Sequence, residues 1–172
     1  MTLQTPPGKS CGTCNLCCKV MEVAELAKAP GIWCGHTSAR KGCGIHGTHP
    51  VSCQVFQCLW LIDPTLPDSA KPERSRVILE ADVEGGRLFA RCDPATPVAW
   101  REEPIYSILK QHAQRTWDTS QTVFAKSGDR VWLITPRDNL DLGRPALGSA
   151  IQIAKQRDGT AVVTITAPAD PI

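Results

Sequence analysis

From residue 76 onward, apolar and polar positions alternate in short runs bounded by turn residues, the pattern of half-buried strands. Residues 76–83 and 87–92 are two such runs on either side of Gly85-Gly86, a strong hairpin signal. Residues 122–126 and 130–135 pair in the same way across Ser127-Gly128-Asp129, and residues 150–156 and 160–166 across Asp158-Gly159. Between the first and second hairpins the period lengthens. Ile105, Ile108, Leu109 and His112 recur at helical spacing behind Glu103-Pro104, which predicts a helix to about residue 117. Six strands and one main helix predict an α+β fold, with an antiparallel sheet carrying the helix on one face. The residues from Ala167 read as a frayed tail.

The first third of the chain shows no such rhythm. It is rich in Gly and Pro, and the one helical stretch, residues 50–61, places Cys53, Phe56 and Trp60 on a shared face before Asp63-Pro64 ends it. Pro64, Pro67 and Pro72 mark a linker, which divides the chain into a Cys-rich segment over residues 1–63 and a scaffold over residues 64–172. A segment of that composition cannot bury much apolar area, so it is expected to be metal-stapled and to pack on the sheet through Trp33, Phe56 and Trp60.

Composition narrows the class without choosing a function. Hydrophobic content of 42% and charged content of 21% fit neither a disordered chain nor a membrane protein. The longest apolar stretch, residues 56–62, is far too short to span a bilayer. The net charge of +2 comes from scattered basic residues with no aromatic interleaving, which argues against nucleic acid as a partner. Residues 1–10 are polar, contain Pro6 and Pro7 and lack an apolar core, which argues against a secretory signal and for a cytoplasmic location.

The cysteines change the picture. Eight of the nine are Cys11, Cys14, Cys17, Cys18, Cys34, Cys43, Cys53 and Cys58, and His36, His46 and His49 fall in the same stretch. Packing would spread cysteines along the chain like other small apolar residues. A disulfide framework belongs to an oxidising compartment and to an even count. Metal ligation suits a reducing compartment and also accounts for the interleaved histidines.

Spacing sharpens that reading. Cys11-Gly-Thr-Cys14 lets one turn aim two thiolates at one ion, with Gly12 relaxing the backbone beneath them. Cys17 extends this to C-x2-C-x2-C, the spacing that holds most of a [4Fe–4S] cube in bacterial ferredoxins. The usual x3-Cys-Pro continuation is missing, so a fourth ligand must come from further along the chain. Adjacent Cys17 and Cys18 point in different directions, so one of them serves a second metal or stays a buried thiol. Cys43 and His46 repeat the two-residue interval with mixed ligands, as structural zinc sites do. On a helix, Cys58 lies about 140° from Cys53. Cys53 is therefore the stronger ligand candidate of the two.

Ordinary roles stand beside these. His36 can be a surface residue, His49 a hydrogen-bond partner at a helix start, and Cys92 and His112 structural. Gly42, Gly44 and Gly47 lack the Lys-Ser/Thr and the preceding strand of a phosphate loop. No catalytic constellation is visible outside the cysteines.

This ordered set of spacings, Cys11-x-x-Cys14-x-x-Cys17-Cys18, then Cys34, then Cys43-x-x-His46-x-x-His49-Pro50-x-x-Cys53-x-x-Phe56, resembles the CxxCxxCC family. These are the YkgJ-type cysteine-cluster proteins, described as zinc- or iron-chelating domains, and the resemblance covers about residues 8–62. Family members often carry Tyr and Arg where this chain has His46 and His49, so the resemblance implies no ligand role for those two. Related clusters occur in flagellin lysine methylases, where an iron–sulfur cluster is implied, but this chain shows no motif for methyl transfer. Three roles remain as expectations: an iron–sulfur protein with a redox or enzyme-accessory role and a protein partner, a zinc-stapled interaction domain, and, well behind both, a metal carrier or store.

Overall fold

The N-terminal third forms only short elements, as a Gly- and Pro-rich sequence dictates. In a computed structural model describing residues 5–38 and 42–168, they begin with helix α1 (Cys17–Val20). A two-residue hairpin of β1 (Thr37–Ser38) and β2 (Gly42–Cys43) follows. Helices α2 (Val51–Val55), α3 (Leu59–Ile62) and α4 (Pro72–Ser75) complete the segment. The single helix expected over residues 50–61 is broken, because Phe56 and Cys58 are extended (ψ 123° and 152°). The break has a packing cause. Phe56 lies against Leu16, Val20 and Ile78, whereas Trp60 enters a different cluster with Val77 and Leu79. One straight helix presents one stripe and could not serve both.

The strands form where the alternation places them, but the sheet is mixed. β3 (Val77–Asp82) and β4 (Arg87–Cys92) pair antiparallel from Val77↔Cys92 to Asp82↔Arg87. Helix α5 (Ile105–Arg115) follows, and β5 (Thr122–Ser127) then lies parallel to β4 with Leu88 opposite Val123. β6 (Arg130–Ile134) and the short β7 (Asn139–Asp141) complete a five-stranded sheet in sequential order. β8 (Ala150–Lys155) and β9 (Ala161–Thr166) pair only with each other. The six-stranded antiparallel sheet expected from the sequence is thereby corrected to five mixed strands plus a separate hairpin. The intervening helix carries the chain back to the end of the sheet where β4 began, so the next strand runs parallel. The tail expected to fray reaches residues 169–172, outside the described residues.

Both faces of the sheet are covered. On the first, Val77, Leu79, Ala90, Cys92, Val123, Ala125, Trp132 and Ile134 pack against Ile105, Leu109 and Ala113 of α5, with Trp100 and Trp60. On the second, Phe124, Val131 and Leu133 meet Ile153, Ala161 and Val163 of the β8–β9 hairpin. Nearer the edge strand, Ile78 meets Val20 of α1 and Leu16 just before it. The Cys-rich segment thus grips β3 from both sides, with α1 on one face and Trp60 on the other. Trp33, expected in that contact, is 48% exposed. No helix of the described residues is long and apolar enough to cross a membrane.

Candidate metal centre

The backbone of the first cysteine loop is a tight turn closed by the Cys14 N–H donating to the Cys11 carbonyl at 2.8 Å. Gly12 sits inside it at φ +54°, a left-handed conformation that any side chain would strain. Cys17 and Cys18 then open α1, and the Cys34 N–H donates to the Cys18 carbonyl at 3.0 Å, bringing the second cysteine group against the first. Cys43 lies on β2 opposite Thr37. The turn beyond it brings Gly44 so near β1 that a Cβ there would meet the His36 carbonyl at 3.2 Å, and the Gly44 N–H donates to that carbonyl at 2.8 Å. Cys53 rides on α2, which is docked by Glu25 accepting hydrogen bonds from the Ser52 N–H at 3.1 Å and hydroxyl at 2.8 Å.

These separate elements enclose one cavity of about 900 Å³. Cys11, Cys14, Cys17, Cys18, Cys34, Cys43 and Cys53 line it, together with His46 and His49. The two imidazoles stack with centroids 4.9 Å apart, and the Gly47 N–H donates to His49 Nδ1 at 3.0 Å. His36 is not on the cavity wall, and neither is Cys58, which packs between the two hydrophobic clusters that flank β3. Cys92 is fully buried in the core beneath the sheet, and burial pushes its thiol up to about 12, against a backbone N–H at Trp100.

Electrostatics links the sulfurs to one another. Burial raises the Cys58 thiol first, and its thiol neighbours are Cys11 and Cys14. Burial also leads the upward shift of Cys53, whose thiol neighbours are Cys18 and Cys34. Cys11 and Cys14 are likewise raised mainly by burial, with Lys71 pulling both down. The adjacent thiols of Cys17 and Cys18 shift each other in opposite directions: Cys17 lowers Cys18, burial opposes that while Thr37 and Lys28 reinforce it, and Cys17 is correspondingly raised. The Thr37 hydroxyl is buried without a hydrogen bond of normal geometry.

Two cations near the cavity had no motif to announce them. Lys28 is only 8% exposed; its Nζ donates to the Lys19 carbonyl at 2.8 Å and to the Met21 carbonyl. Lys19 reaches Asp93 at 2.5 Å and lies over the Trp33 ring at 5.5 Å, tying α1 to the loop after β4. Neither could be found by spacing, because a lysine in a polar stretch reads as solvated. Only the fold turns Lys28 inward.

Among the described residues, no three Cys, His, Asp or Glu side chains converge tightly enough to hold one metal ion. The thiols ring a space much wider than the roughly 2.3 Å radius of a zinc–sulfur shell. No family model matches the chain, and no curated protein or solved structure is similar to it. The donor set itself fits a thiophilic metal: seven sulfurs and two imidazoles lie on one cavity. Soft thiolates select zinc, copper(I) and iron–sulfur clusters over hard cations.

Proposed function

We propose that the cavity of the Cys-rich segment holds an iron–sulfur cluster and that the protein serves a redox or enzyme-accessory role with a protein partner. The observation that carries this is the convergence of Cys11, Cys14, Cys17, Cys18, Cys34, Cys43 and Cys53 on one cavity from loops separated by up to 42 positions in sequence. Seven thiols on one cavity form a ready set of soft donors, and a metal that takes them as thiolates would tie these loops together. Cys11, Cys14 and Cys17 carry the ferredoxin-like spacing, while Cys34, Cys43 and Cys53 offer sulfur from the other walls. Such a cluster, when bound, supplies one-electron chemistry. The chain's own part is to exclude water with Phe56, Met21 and Leu61 on the cavity wall and to set the surrounding charge. The resemblance to the CxxCxxCC family points the same way, and membership in it belongs to this proposal.

Zinc is the second reading, favoured by His46 and His49 standing together on the cavity wall. Visible spectroscopy on anaerobically purified protein separates them. Broad visible absorption that bleaches with dithionite is expected; a colourless, redox-silent protein carrying metal moves the assignment to a zinc-stapled interaction domain.

A further inference from the structure

Resting on the metal reading above, we infer that Lys28 is the charge-compensating residue of the centre, a buried ammonium that offsets the negative charge of its thiolates. The geometry around Lys28 is built. Val23 and Lys28 exchange both backbone hydrogen bonds at 3.0 Å, closing a tight turn around Ala27, which takes a left-handed φ of 48°. The turn drives the lysine inward until only 8% of it is exposed, and two carbonyls, of Lys19 and Met21, accept from its Nζ.

Two acceptors leave room for a third, and carbonyls do not neutralise a charge. Among the described residues Lys28 has no carboxylate within ion-pair distance. Asp93, the other buried charged residue, has its own partner in Lys19. The contrast with Lys71 is instructive: that lysine also acts on Cys11 and Cys14, but Glu73 pairs with it at 2.9 Å. Burial pulls the Lys28 ammonium below its ordinary value, and the groups that oppose this are the sulfurs of Cys34, Cys18, Cys17 and Cys53 in their thiolate form. Taking an ammonium out of water is unfavourable, so negative charge in the cavity favours its burial there in the charged form. A metal held by four thiolates carries such net negative charge, and the lysine in turn favours its retention. Because the ammonium sits among carbonyls of residues 19 and 21, it acts on the centre through charge and is a positioning residue, not a ligand.

The test compares full-length wild type with Lys28→Gln, which keeps hydrogen-bond donors without charge, and Lys28→Arg, which keeps the charge. Iron, zinc and sulfide are counted first, and retention is then measured by competition with EDTA. Lys28→Gln is expected to lower metal affinity about 10- to 100-fold, the range seen for residues behind a metal's ligands, with Lys28→Arg close to wild type. If iron is present, the midpoint potential of Lys28→Gln moves more negative, because removing a cation disfavours the added electron; a purely structural role would leave the potential unmoved. Wild-type metal content with unchanged affinity in Lys28→Gln overturns this inference alone, as does Lys28→Arg failing as badly as Lys28→Gln. A wild-type protein without metal overturns it together with the metal reading.

Discussion

At the scale of single residues, the junction between the Cys-rich segment and the sheet rests on Lys19 and Asp93. Burial by itself would raise the Asp93 carboxyl, but the Lys19 ammonium, the Ala95 N–H and Arg76 outweigh it and hold the group below the ordinary carboxylate range. A carboxyl lowered on folding contributes stability above its unfolded pKa of about 3.9 and loses it as pH falls through the folded value. Asp93→Asn should therefore cost about 1–3 kcal/mol near neutrality by leaving buried donors poorly satisfied. Urea titrations should show the gap to wild type closing as pH falls below the ordinary carboxylate range, where the native carboxyl protonates as well. A gap that stays constant with pH would assign the loss to shape, not charge. Among the cysteines, Cys34→Ser and Cys53→Ser are expected to reduce bound metal, whereas Cys92→Ala, in the sheet core, should keep it while lowering the melting temperature. The density and spacing of the cysteines are legible in the sequence because ligand spacing is local. Lys28, Lys19 and Asp93 are not, because their roles come from contacts across the fold: Lys19 and Asp93 are 74 positions apart.

At the scale of elements, the hairpins around Gly85-Gly86, Gly128 and Gly159 form as the alternation indicates, and helix α5 buries Ile105, Leu109 and Ala113. The parallel pairing of β4 with β5 is invisible to a reading that knows periods but not crossings. The stretch at residues 50–61 shows another limit. Helical periodicity was satisfied on paper, but burial of Phe56 and Trp60 in different clusters overrides it. Trp60 is 4% exposed, its indole N–H donates to the Pro67 carbonyl at 3.1 Å, and Lys9 and Lys71 stand 4.9 and 5.2 Å from its ring centre. Trp60→Ala should cost about 3–5 kcal/mol in chemical denaturation. The two faces of the C-terminal β8–β9 hairpin should behave differently. Val162→Ala, on a residue 55% exposed, should change stability by less than about 0.5 kcal/mol. Ile153→Ala, against Phe124 and Leu133, should cost about 1–2 kcal/mol. Equal effects would contradict the packing of that hairpin on the sheet.

At the scale of the whole molecule, the division into a metal segment and a scaffold is less clean than composition suggests, because residues of the first third enter the cores on both faces of the sheet. Chelation is therefore expected to expose the amides of Cys14, Cys34 and Gly44 to hydrogen exchange while those of β3 and of Leu61 stay protected; full protection at the cavity after chelation would separate its folding from metal. The candidate site was legible as a set of residues and not as a shape: spacing named the thiols, but only the fold shows that seven of them line one space and that Cys58 sits between the two hydrophobic clusters with Cys11 and Cys14 as its thiol neighbours. The most direct measurement is the content of iron, zinc and acid-labile sulfide per chain in protein purified without oxygen. Iron with matching sulfide is the expected result and would establish a cluster in the thiol cavity. A chain carrying neither iron nor zinc above trace would contradict the central claim that these cysteines are gathered to bind metal.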